Sequence, residues 1–143
     1  MLIAIDPDLH KTGIAVYENG KFIYINSNFI WDIFGMLKTL NNRNDLTVLI
    51  EFPKNTNTYH NGGKGAALNV GKNQAVAIIL KEFCEQKGIN FDLLPPAGYS
   101  KLFANEDYFK KQTGWSGRTN KDARSAAAMI FLNKKKYENT NIC

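Results

Sequence analysis

Two short apolar runs in this chain each end on a carboxylate: Leu2-Ile3-Ala4-Ile5 runs into Asp6, and Val48-Leu49-Ile50 runs into Glu51. Short aliphatic runs bounded by turn formers read as buried strands. A lone acid at a strand end serves as a turn former or cap, and Asp6 before Pro7 is explained by that alone. Two such acids constrain the fold further. If the strands are parallel neighbours, as a helical crossover between them permits, the carboxylates sit side by side at the carboxyl edge of the sheet, where open α/β sheets place their ligands. Like charges held that close need a cation between them, or one must take up a proton. Mg²⁺, a hard cation held by one or two carboxylates plus substrate phosphate, is the natural candidate, with Mn²⁺ as its substitute.

The rest of the chain supplies the elements that such a sheet needs. Strands are predicted at about 2–6, 13–18 and 21–27, the last two joined by the hairpin dipeptide Asn19-Gly20. Residues 29–41 place Phe29, Ile33, Met36, Leu37 and Leu40 on one helical face, and 46–52 reads as a fourth strand. A polar, glycine-bearing loop follows, then a helix from about Ala66 to Lys87 stopped by Gly88, then a strand at Asn90–Leu94 closed by Pro95-Pro96. Asn105 caps a short helix with acids in its first turn and lysines in its last, and Asn120 opens a final alanine-rich helix. The expectation is one domain over residues 1–143, an α/β mixed five-stranded sheet flanked by helices. The helix from Ala66 is apolar round much of its circumference (Leu68, Val70, Ala75, Val76, Ile78, Ile79, Phe83), so it is expected to be covered on two sides, by the sheet and by a second subunit.

Charge narrows the partner. Residues 1–98 hold nine Lys+Arg and nine Asp+Glu, whereas residues 99–143 hold nine against four, so the last third carries the whole net charge of +5. A basic face on a small chain suits a polyanion, usually nucleic acid; a merely solvated surface is the competing reading. Cys84 reads as core, and two cysteines are too few for a disulfide framework. No apolar run approaches the ~20 residues that span a bilayer, and no basic leader precedes the first strand. A cytoplasmic protein, of a bacterial or phage-infected cell, is expected.

A third acid completes a two-metal phosphodiesterase site, and Asp122, two residues after the Asn120 cap, supplies it. Its alternative role is to complement the dipole of the helix N-terminus. At this point the chain resembles the RuvC-type Holliday-junction resolvases of the ribonuclease-H-like fold, in a small, phage-like form. "IAIDPDLHKTGIAV" is similar to their first-strand motif, "VLIEFP" to their fourth-strand Glu, and "NVGKNQAVAIIL" to the helix after it. "PPAGYSKLF" and "FKKQTGWSGRTNKDARSAAAMI" resemble the C-terminal part of small members. The resemblance implies a homodimer that cuts four-way DNA junctions with two metals, held here by Asp6, Glu51 and Asp122. It also implies an acid or His on the last helix followed three residues later by Asp, and here those positions are Asp122 and Ser125. Spacing of three keeps Ser125 on the face of Asp122, but a hydroxyl is a far poorer Mg²⁺ ligand. Aligning Asp122 with the final Asp instead leaves Thr119 as its partner. Asp8 is the one other acid near, and its turn is expected to hold it out of reach.

The chemistry implied is hydrolysis of a DNA phosphodiester. Lys101, Lys110, Lys111, Arg118, Lys121 and Arg124 are the candidates for phosphate contacts, with Lys64 and Lys72 near the loop after Glu51. Phe52, Tyr59 and His60 flank that loop and could stack on an unpaired base, and His10 could assist a metal-bound water. Two other readings stand beside a junction endonuclease: a nuclease of the same fold acting on structured RNA, resembling small pre-ribosomal-RNA-processing proteins, and a non-cleaving binder of branched DNA, to which Ser125 points. An actin-like ATPase needs two such domains and a second glycine-rich phosphate loop, for which this chain has no room.

Overall fold

A computed structural model describes residues 1–53, 63–96 and 101–138. Strands β1 (Leu2–Asp6), β2 (Thr12–Glu18) and β3 (Lys21–Asn28) precede helix α1 (Ile30–Leu40) and β4 (Thr47–Glu51). Helix α2 (Gly63–Lys87), β5 (Asn90–Leu94) and helices α3 (Lys101–Ala104), α4 (Glu106–Thr113) and α5 (Lys121–Glu138) follow. The five strands form one sheet in the order β3-β2-β1-β4-β5. The first three make an antiparallel meander, and β4 and β5 join it in parallel. Asn19 (φ 51°) and Gly20 (φ 80°) both take left-handed backbone at the β2–β3 turn, the conformation a tight two-residue hairpin demands.

Strict alternation along the strands builds a core on each face. Ile3, Ile5, Ile14, Val16, Val48 and Ile50 pack against Ile33 and Leu37 of α1 and Val76, Ala77, Leu80 and Cys84 of α2. Leu2, Ala4, Ala15, Tyr17 and Leu49 face the other way, against Ala123, Ala126, Ala127 and Ile130 of α5 and Phe109 of α4. The alanines let α5 lie close to the sheet, and each large aliphatic side chain buried on either face contributes roughly 1.5–3 kcal/mol. By the same alternation Asp6 follows Leu2 and Ala4, and Glu51 follows Leu49. Both acids therefore point to the α5 face.

Helix α2 outruns the sheet. Its 25 residues span about 37 Å, against about 17 Å for a five-residue strand, and among its described side chains the first buried one is Val76. The first half overhangs the carboxyl edge, tied there by Gln74, whose Nε2 donates to the Pro53 carbonyl at 2.7 Å. The helix begins three residues before the expected Ala66. On its outer face Leu68, Ile78 and Ile79 stand exposed. Phe29 also departs from expectation. It has the spacing of the α1 apolar face but occupies the N-cap, before the first turn, and is 57% exposed. Cys84 is core, and burial pushes its thiol up to about 11; Cys143 lies outside the described residues. No helix among the described residues is long and apolar enough to cross a membrane.

Candidate active site

Ile5 of β1 pairs in parallel register with Ile50 of β4, so Asp6 and Glu51, one residue further along, are neighbours at the carboxyl edge. On the other side Asp6 pairs with Gly13 of β2. That glycine sets the site's third wall. A Cβ on Gly13 would fall 2.5 Å from the Asp122 carbonyl carbon and closer still to its oxygen, which no real side chain tolerates. Only glycine admits the first turn of α5 onto β2 there, and this contact brings Asp122 and Ser125 to Asp6. Asn120 fixes the same turn from outside. Its Oδ1 accepts from the Ala123 N–H, capping the helix, and from the Ser27 hydroxyl of β3, each at 2.9 Å.

The electrostatics follow from this convergence. Burial pushes the Asp6 carboxyl up to about 6, with the negative charges of Asp122 and Asp8 adding to the rise, while the Ser125 hydroxyl, within hydrogen-bonding reach, opposes it. Burial, then the charge of Asp6, pushes Glu51 up to about 7. Asp122 is raised too, by desolvation and by Asp8, against the pull of Lys121. Ser125 of α5 is thus the hydroxyl that acts on Asp6, whereas the Thr119 side chain bonds to Glu106 and Arg124.

Asp8, expected to be held out of reach as a ligand, still acts on the cluster through its charge. Buried Thr12 staples the β1–β2 turn, its Oγ1 donating to the Asp8 carbonyl at 2.9 Å, and Asp8 Oδ1 accepts from the His10 N–H at 2.8 Å. The turn therefore folds back, and Asp8 acts on both Asp6 and Asp122. A polar cleft of about 270 Å³ opens beside it, between Asp8, Leu9 and His10 of the turn and Asn69, Lys72 and Asn73 of the overhanging α2.

Oxygen donors alone suit a hard divalent cation, and a desolvated pair of like charges is the setting in which such an ion lowers the energy most. The acids fit Mg²⁺ or Mn²⁺ in chemistry. They do not form a finished cage: among the described residues no three His, Cys, Asp or Glu side chains gather closely enough to hold a metal ion.

The basic candidates divide. Lys64, Lys72, Lys101, Lys111, Arg118 and Lys121 are exposed, and Lys110 is engaged with Glu106 at 3.2 Å. Arg124 departs from its expected role at phosphate. Its guanidinium donates to the Phe103 carbonyl at 2.7 Å and to the Thr119 carbonyl and Oγ1 at 3.1 and 3.2 Å, so it ties α3 and the chain before α5 together. Phe52 packs on the core, His10 lies exposed in the β1–β2 turn, and Tyr59 and His60 lie outside the described residues.

No protein-family model matches the chain, and no curated protein matches it. Solved structures do. RuvC from Thermus thermophilus, in a structure described as a complex with Holliday junction substrate, covers 94% of this chain with 94% of its own, at a TM-score of 0.52 and 13% identity. A second Thermus thermophilus RuvC structure matches over 94% of this chain and 95% of its own, at a TM-score of 0.51 and 13% identity. This chain has the RuvC fold. At that identity the likeness carries the backbone architecture, the RuvC arrangement of a mixed five-stranded sheet between helices. The chemistry rests on the residues gathered at its carboxyl edge.

Proposed function

We propose that this chain is a metal-dependent, structure-specific endonuclease that hydrolyses phosphodiesters of four-way DNA junctions or related branched DNA. The observation that carries the reading is the pair Asp6 and Glu51, desolvated side by side on the face covered by the first turn of α5, with Asp122 and Asp8 in electrostatic reach. Asp6, Glu51 and Asp122 would hold two Mg²⁺ or Mn²⁺ ions. Such ions, when bound, supply a strongly polarised water and stabilise the leaving oxygen. The chain's own residues do the rest. Ser125 would orient the Asp6 carboxylate by donating its hydroxyl proton, Gly13 and Asn120 fix the helix that carries Asp122, and the exposed Lys101, Lys111, Arg118 and Lys121 are the candidates to meet phosphates. A second copy of the chain set against Leu68, Ile78 and Ile79 would cover the outer face of α2 and supply a second site for the opposite strand.

The second reading, a branched-DNA binder that does not cut, is favoured by Ser125 in place of a carboxylate and by the unfinished cage. One experiment separates the two. The protein is incubated with an end-labelled four-way junction and Mg²⁺ or Mn²⁺, with flap, structured RNA and linear duplex alongside. Metal-dependent nicking of the junction, abolished in Asp6→Asn with binding intact or tighter, supports the endonuclease. Tight junction binding with no nicking at any metal concentration leaves the binder, and preferential cutting of the RNA moves the substrate to that class.

A further inference from the structure

A second feature lies on the same sheet edge, outside the carboxylate cluster. The junction between β3 and α1 exposes two aromatic rings two residues apart: Trp31 is 77% exposed and Phe29 57%. Elsewhere aromatic side chains of this size dominate the burial that holds a fold together. Phe34, inward of Trp31 with ring centroids 6.0 Å apart, packs on Phe83 of α2 at 4.8 Å, so Trp31 rests against a braced ring while its own outer surface faces solvent. The ammonium of Lys11, from the β1–β2 turn, lies 5.9 Å from the Phe29 ring centroid.

Their position follows from strand register. Asp6 pairs with Gly13 and Gly13 with Ser27, which places these residues in one row across β1, β2 and β3. Two strand spacings separate Asp6 from Ser27, roughly 10 Å, and Phe29 lies two residues beyond. Measured along the sheet, the rings and Lys11 thus stand at its carboxyl edge roughly 10–15 Å from Asp6, with α1 itself packed on the face opposite to the acids and Lys11 bridging from the β1–β2 turn.

We infer that Phe29 and Trp31, with Lys11, form a stacking platform for an unpaired base of the DNA strand that leaves the active site. The inference deepens the proposed function and rests on it, since it names which feature of branched DNA the chain reads. Stacking needs an exposed π-face and a nearby cation for the adjoining phosphate, and it discriminates unpaired from paired bases because a base within a duplex presents no free face. Asp32, exposed in the first turn of α1, is the acid of this segment, and its charge repels phosphate, so Lys11 is the side from which the backbone would approach.

The chain has two tryptophans, and Trp115 has its indole nitrogen buried, so quenching by bound DNA reports mainly on Trp31. The whole chain is titrated, in EDTA to prevent cutting, with a four-way junction carrying unpaired bases at its branch point, with a single strand, and with linear duplex of the same sequence. Expected is strong quenching by junction and single strand and little by duplex. Trp31→Ala should lose the quenching and bind junction and single strand about 10-fold more weakly with duplex affinity unchanged, and Trp31→Phe should keep most of the affinity. Because Trp31 is exposed, both variants should melt within about 2 °C of the native chain, which a thermal scan checks. Equal affinity of the native chain and Trp31→Ala for the junction overturns the platform while leaving the endonuclease standing. A native chain that binds no junction overturns both. Dissociation of a DNA-free dimer by Trp31→Ala in sedimentation, with DNA affinity unchanged, assigns the rings to self-association and overturns the platform.

Discussion

Replacing Asp6 by asparagine should stabilise the metal-free protein, by an amount that grows with pH. In the folded chain Asp6 ionises near 6 rather than 3.8 and Glu51 near 7 rather than 4.5, burial leading in both. Folded values above unfolded ones mean that the native state binds more protons, so stability is fully retained below about pH 4 and is lost as pH rises toward 7. At 1.36 kcal/mol per pH unit the Asp6 displacement costs about 3 kcal/mol once both states are ionised, and about 1 kcal/mol at pH 4.5. Asparagine removes that cost and relieves Glu51 of its charged neighbour, while its amide oxygen can still accept from the Ser125 hydroxyl. Desolvating the amide takes back part of the gain. A net increase of roughly 2–3 kcal/mol at pH 8, or about 6–12 °C in Tm, is expected, falling to about 1 kcal/mol or less at pH 4.5. The assay is a pair of thermal melts in EDTA at the two pH values. Adding millimolar Mg²⁺ at pH 8 should raise the Tm of the native chain and leave the variant little changed. A variant whose Tm is unchanged, or lowered equally at both pH values, would refute the reasoning, because Asp6 would then be neither desolvated nor repelled in the folded state.

Ser125→Asp places another anion beside Asp6; it should lower the metal-free Tm at pH 8, recover it with Mg²⁺, and make junction cleavage saturate at lower Mg²⁺ in a metal titration. A variant that melts low in metal and EDTA alike would mean that position 125 faces packed core instead. Gly13→Ala drives a methyl into the Asp122 backbone and should cost about 1–3 kcal/mol in a denaturant titration, with cleavage lost out of proportion as Asp122 moves off the pair. Arg124→Ala removes the guanidinium bonds to the Phe103 and Thr119 carbonyls and should cost about 1–3 kcal/mol of stability. Arg118→Ala and Lys121→Ala should instead leave Tm within about 2 °C, weaken junction binding, and each reduce the slope of log K against log salt by about 1.

What could be read from the sequence was what local chemistry determines. Alternation in Leu2–Asp6 and Thr47–Glu51, the Asn19-Gly20 hairpin, and the Asn105 and Asn120 caps each draw on neighbours within a few residues, and each stands in the fold as expected. What required tertiary geometry was not legible. Arg124 looks like any surface arginine until Phe103 and Thr119 arrive beside it. That the charge of Asp8 reaches Asp6 and Asp122 depends on the Thr12 staple that folds its turn back, which spacing does not show. Gly13 did leave a signal: a glycine inside a strand marks close backbone approach, and here the approaching chain is the first turn of α5. Periodicity misled at Phe29, where spacing matched the apolar face but the residue precedes the helix.

The desolvated acids are themselves the argument that this edge is functional. A fold selected for stability alone has no reason to keep Asp6 and Glu51 side by side, because Asn and Gln would preserve the shape and remove several kcal/mol of repulsion and desolvation. Among the described residues the group that draws Asp6 back toward ionisation is a neutral hydroxyl, Ser125, which relieves the strain without neutralising the charge. Ion pairs are formed readily elsewhere: Arg43 bridges Glu18 and Asp45 at 2.6 and 2.9 Å on the surface, where the stability gained is small. Those ion pairs sit where they contribute little, whereas at the carboxylate cluster the charge of Lys121 acts on Asp122 but leaves its carboxyl raised. Local inconsistency of that kind is expected at functional sites. A hard divalent ion on oxygen donors would supply the opposing charge while leaving coordination positions for a phosphate.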